Sequence, residues 1–133
     1  MKRLALALAA AALAFGAITL VALEASGVAV LTTLRGDGRA RRTHVWWVDD
    51  GAGGLEVEAA TPERAWLAEA LAAGEIEVAR DGASARFRVS RDDAPGAHER
   101  LRASLRAKYG WRDAWVAVLQ DTSRAVVVRL SPP

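Results

Sequence analysis

The hydrophobic pattern changes period once, near Gly27. Before that point Lys2 and Arg3 precede Leu4 to Leu23, twenty residues without a charge, a run with no polar face and enough length to cross a bilayer as a helix. After it the apolar positions alternate. "VAVLTTLR" from Val28 is β-branched and apolar, "GDGR" at 36–39 is a turn, and "RRTHVWWVDD" at 41–50 reads as the returning strand of a hairpin. A second glycine-rich turn, "DDGAGG" at 49–54, leads into "LEVEAAT", where Leu55, Val57 and Ala59 alternate with Glu56 and Glu58 and predict one buried and one wet face.

The period then becomes helical. Trp66, Leu67, Ala70 and Leu71 form an apolar stripe that stops near Gly74. "EIEVARDG" and "ARFRVSRDD" predict a second hairpin around Asp81-Gly82, with Glu75 and Glu77 facing Arg86 and Arg88 across the strands. A second helix follows Pro95, carries Leu101, Leu105 and Tyr109 at four-residue steps, and ends at Gly110. "AWVAVLQ" and "SRAVVVRL" read as the last strand or strands, with a helix as the alternative for the first. The order β-β-β-α-β-β-α-β, dominated by hairpins, predicts a mainly β (α+β) fold: an antiparallel barrel with two flanking helices behind an N-terminal transmembrane helix.

Length allows one domain, 28–133, behind an appendage at 1–27. A basic start followed by an apolar run is common to anchors and cleaved signal peptides, and Ala25-Ser26-Gly27 is a possible cleavage site. The apolar run exceeds the usual signal core, which favours an uncleaved single-pass anchor in the cell membrane. Its orientation stays open, because Lys2 and Arg3 on one side are opposed by Arg35, Arg39, Arg41 and Arg42 on the other. Basic and acidic residues nearly balance beyond Gly27, so nucleic acid is not suggested. The absence of cysteine removes disulfides, thiolate metal sites and thiol catalysis. The separated His44 and His98 enforce no metal site. Monomer and homodimer are both open.

The junction "LEVEAATPERAWLAEAL" at 55–71 carries the most specific local chemistry. Thr61 suits an N-cap, Pro62 the first helical position, and Glu63 the first turn. Unpaired N–H groups at such a start attract anions, and Arg64 adds a charge; a cap that binds nothing is the plain alternative. Arg41 and Arg42 point to opposite faces of their strand, so one guanidinium can converge with Thr61 and Arg64. Trp46 and Trp47 likewise face opposite ways. Trp66 belongs to the core stripe, while Trp111 and Trp115 suit a planar ligand or a membrane interface.

The segment "GRARRTHVWWVDDGAGGLEVEAATPERAWLAEALAAGEIEVARDGASARFRV" resembles the core of the pyridoxamine-phosphate-oxidase-like split-barrel flavoproteins, and looks closest to their deazaflavin-dependent nitroreductase branch. "LRAKYGWRDAWVAVLQDTSRAVVVRL" resembles small relatives of the same group. The resemblance implies a cofactor phosphate held by Arg41, Arg42, Thr61 and Arg64, with Thr43, His44 and Val45 along the ring system. It implies deazaflavin (coenzyme F-420) as cofactor, FMN as second choice, and a small hydrophobic acceptor such as a quinone or nitro compound. His44 or Tyr109 would donate a proton. The alternative is a non-catalytic module binding flavin, deazaflavin or haem on the same fold.

Overall fold

The alternating segments close into a cylinder. In the computed structural model, which describes residues 1–24 and 27–133, the strands are β1 (Val28–Leu34), β2 (Ala40–Asp49), β3 (Leu55–Ala59), β4 (Glu75–Arg80), β5 (Ala83–Arg91) and β6 (Val126–Ser131). They form an antiparallel barrel in the order β1-β2-β3-β6-β5-β4, and β1 pairs with both β2 and β4 to complete it. Closure leaves no open edge for another strand. The antiparallel barrel expected from the alternation is therefore present.

Two turns show why the hairpins form where they do. Arg80 pairs with Ala83, which leaves Asp81-Gly82 as a two-residue loop with φ of 50° and 77°. Positive φ at both positions is the type I′ geometry, whose twist matches paired strands. At the β2–β3 turn, Asp50 Oδ1 accepts from the N–H groups of Ala52 and Gly54, each at 2.8 Å. A Cβ at Gly54 would lie 2.6 Å from the Leu130 carbonyl, so no other residue fits there without movement.

Inward-facing residues fill the barrel: Leu31, Val45, Trp47, Leu55, Val57, Val78, Phe87, Val128 and Leu130 share one core. Helix α2 (Ala65–Ala73) adds Trp66, Leu67 and Ala70 to that core. Leu71 stays 37% exposed, so the buried stripe is narrower than expected. Helix α3 (Ala97–Tyr109) packs Leu101, Leu105 and Tyr109 against the outward-facing Val48 and Val127. A second, smaller core thus lies outside the barrel wall.

Two sequence expectations need correction. Helix α2 starts at Ala65, not Pro62: Thr61 to Arg64 form a turn closed by Arg64 N–H donating to the Thr61 carbonyl at 3.3 Å. Pro62 occupies the second turn position, where its fixed φ is equally favourable, and Thr61 is not the N-cap. The barrel is also flanked by three helices and not two, because Trp111–Leu119 forms helix α4. With β6 already seated between β3 and β5, no edge remains to receive a seventh strand. The helical alternative for "AWVAVLQ" is the one realised.

Helix α1 (Lys2–Glu24) is long and apolar enough to cross a membrane, with mean hydropathy 2.4 over Lys2–Leu23. The last part of this helix lies along α4: Trp115 Nε1 donates to Thr19 Oγ1 at 3.0 Å, and the Phe15 and Trp115 rings sit 5.4 Å apart. Arg112 Nε donates to the Ala22 carbonyl at 2.7 Å. Ala25 and Ser26, in the possible cleavage site, lie outside the described residues.

Candidate functional site

Helices α3 and α4 cover the barrel wall incompletely. The gap is a cleft of about 340 Å³ between them and strands β2 and β3, a volume within the range of small-molecule sites. Thr43, His44, Val45 and Trp46 form its strand wall; Ala60, Arg64 and Trp66 enclose the junction end. Leu105 of α3, Val116 and Ala117 of α4, and Leu23 of α1 provide apolar cover.

The structure sorts the sequence candidates into two places. Thr43, His44, Val45 and Arg64 meet in the cleft. Arg41 does not line it. Its Nε and Nη2 donate to Glu69 on α2 at 3.0–3.2 Å, and Thr33 Oγ1 donates to the same carboxylate at 2.6 Å. The Arg41 bonds, followed by the Thr33 bond, hold the Glu69 carboxyl below its ordinary range. Glu69 in turn raises Arg41 further above an already high pKa. Arg42 is exposed on the outward face of β2 and Thr61 is half-buried, both outside the cleft lining. Arg41, Arg42 and Arg64 therefore do not gather around one point.

Tyr109 is also elsewhere. Its hydroxyl accepts from Trp47 N–H at 2.9 Å and donates to the Gly27 carbonyl at 2.6 Å, while its ring stacks on Trp46 at 4.5 Å. Burial pushes its pKa up. The hydroxyl ties β2 to the chain entering β1 and does not line the cleft.

The cleft contains a charged group that the sequence pattern does not mark. Glu58 and Arg102 line it, with Arg102 Nη1 3.4 Å from Glu58 and Arg102 Nη2 2.5 Å from Asp113. Asp113 is almost fully buried at 3% side-chain exposure. Burial raises the Glu58 pKa despite the opposing pull of Arg102 and, more weakly, His98; Asp113 adds a small push upward. Glu58 alternates with the inward residues of β3, so the expected wet face was a sound reading of period, but α3 and α4 cover it. The available signals were Arg102 beside the core residue Leu101 and Asp113 beside Arg112 at the start of a helix whose other residues are apolar.

Solved structures with low sequence identity share this split-barrel fold over most of the chain. A conserved hypothetical protein from Mycobacterium tuberculosis aligns with TM-score 0.61 and 18% identity, over 88% of this chain and 78% of its own. The heme storage protein HutZ from Vibrio cholerae aligns with TM-score 0.59 and 12% identity, over 84% and 85%. A pyridoxamine 5′-phosphate oxidase-related, FMN-binding protein from Nostoc punctiforme aligns with TM-score 0.51 and 14% identity, over 87% and 77%. At these identities the likeness defines the fold. No protein-family model and no curated protein matches the sequence.

Proposed function

We propose that the chain is a membrane-anchored oxidoreductase whose cleft takes a reduced deazaflavin, or FMN as second choice, and serves a hydrophobic acceptor such as a quinone or nitro compound. The cleft carries this reading: the β2 wall Thr43–Trp46 and Arg64 at the β3–α2 junction converge on one cavity of small-molecule size. The FMN-binding protein that shares the fold gives it further support. A bound deazaflavin or flavin supplies hydride chemistry; the protein supplies binding, orientation and exclusion of water.

Arg64 is the cation for the cofactor phosphate, acting with the free amide groups at the start of α2. Trp46 and Trp66 contribute aromatic carbon to the cavity wall. His44 and Glu58 line the same cavity and are the groups from which a proton reaches the acceptor. The apolar residues Leu23, Val116 and Ala117 suit a lipid-soluble acceptor. Residues 1–27 form the anchor and residues 28–133 the cofactor-binding domain.

Titration of the full-length protein in detergent with deazaflavin, FMN and haem, followed by absorbance and tryptophan fluorescence, tests the reading. Tight deazaflavin or FMN binding with turnover of a quinone supports it. Binding without turnover favours a carrier module, the second reading, which rests on a haem storage protein sharing the fold and on an imidazole, His44, in the cleft wall. Failure of all three to bind overturns both.

A further inference from the structure

We infer that α4 is a membrane-surface helix, seated with α1 in the interfacial layer of the bilayer so that the apolar side of the cleft lies at the lipid boundary. The inference rests on the proposed role of α1 as a membrane anchor. Contacts from Phe15 to Leu23 fix α4 and the barrel alongside the last turns of α1: Phe15 and Thr19 meet Trp115, Ala22 meets Arg112, and the Leu23 carbonyl accepts from Trp46 Nε1 at 3.3 Å. At about 1.5 Å per residue, the part of α1 preceding Phe15 extends only roughly 20 Å, short of the ~30 Å hydrocarbon core. A bilayer crossed by α1 must therefore reach the level of α4.

The surface of α4 suits that level. Its two charged residues are both turned inward: Asp113 is buried against Arg102, and Arg112 binds the Ala22 carbonyl and lies over the Trp46 ring, 5.5 Å from its centre. Exposure is left to Trp111, Ala114, Ala117, Val118 and Leu119, with Val118 85% exposed. A short helix facing water usually turns its charges outward; here the outward side is wholly apolar and continues onto the exposed apolar surface of α1. Trp111, 56% exposed at the start of α4, is a residue type favoured at membrane interfaces. Because Val116, Ala117 and Leu23 line the cleft, seating α4 in the interface brings that cavity to the lipid surface.

The chain has no cysteine, so single-cysteine variants of the full-length protein report position cleanly. Val118→Cys, Leu8→Cys on α1 and Glu99→Cys at the far end of α3 are labelled with an environment-sensitive fluorophore and reconstituted into phosphatidylcholine vesicles. Quenching by lipids bearing a nitroxide near the headgroup or deep in the acyl chain is then measured. For a helix buried at the headgroup boundary, the headgroup-level nitroxide should quench Val118→Cys at least about twofold more than Glu99→Cys. The deep nitroxide should favour Leu8→Cys. Quenching at Leu8 with none at Val118 overturns the inference and leaves the anchor standing. Quenching at neither position removes the anchor and the inference together. A blue-shifted but unquenched Val118 label, with cross-linking between copies, assigns this face to a second copy of the chain and also overturns the inference.

Discussion

Arg102→Met removes a cation closely paired with two carboxylates under the α3–α4 cover. In the parent, Arg102 lies 3.4 Å from Glu58 and 2.5 Å from Asp113, and its own side chain is 15% exposed. A pair of unit charges roughly 4 Å apart is worth about 4 kcal/mol at an effective dielectric of about 20, so two carboxylates give a substantial gross attraction. Burying the guanidinium offsets much of this, and the net cost of removing one partner from a buried pair is about 3–5 kcal/mol. The next cation does not substitute: Arg106 Nε lies 4.0 Å from Asp113 and its side chain is 71% exposed. Thermal unfolding in mild detergent, followed by near-ultraviolet dichroism, should show a midpoint lowered by on the order of 10–20 °C at neutral pH. Glu58, already raised by burial, then loses the opposing pull of Arg102 and binds its proton more readily when folded than unfolded, so stability falls as pH rises. The gap between variant and parent should narrow as pH drops toward the ordinary carboxylate range. Adding Asp113→Asn to Arg102→Met should recover more than half the loss. A loss below about 1 kcal/mol, or one unchanged between neutral and acidic pH, would refute the reasoning.

Other outcomes follow from the same contacts. Tyr109→Phe strands the Trp47 N–H and should cost about 1–3 kcal/mol in the same unfolding assay, with cofactor affinity retained. Arg64→Ala should weaken deazaflavin or FMN binding about tenfold or more, while Arg42→Ala leaves it within about twofold, as read by fluorescence titration. Equal losses from the two would remove Arg64 from its role. Glu58→Gln should flatten the pH dependence of stability above the ordinary glutamate value of 4.5, because a raised carboxyl contributes stability that is lost as pH rises through its folded pKa. Glu69→Gln should act on the other side of that value: a lowered carboxyl contributes stability lost as pH falls, and the variant removes that acid limb.

The strands and the first hairpins are legible because their causes are local. Alternation over five to ten residues fixes a strand's inner face, and Asp81-Gly82 specifies its own turn through two positive φ angles. The start of α2 is less legible because Thr-Pro-Glu-Arg satisfies two rules at once: the same proline suits a first helical position and the second position of a turn. The chain has to bend before α2 can place Trp66 and Leu67 on the barrel core, and that tertiary demand selects the turn.

The site is harder to read than the fold for a related reason. Alternation says which side chains leave the barrel interior and is silent on what awaits them outside. Arg42, His44 and Glu58 all point outward, yet Arg42 lies outside the cleft while His44, itself exposed, and Glu58 line it beside helices far along the chain. Arg41 illustrates the converse, since one of the two neighbouring arginines was expected to converge with Thr61 and Arg64, whereas Glu69 on α2 engages Arg41. The decisive element is α4. Its sequence reads as apolar with two charges at one end, compatible with a strand, and only its packing on α1 and Arg102 shows both charges turned inward. The helix that roofs the cleft is thus also the one that continues the apolar surface of α1. A reactant that partitions into lipid would reach the cavity along that surface without first crossing the charged sides of the barrel.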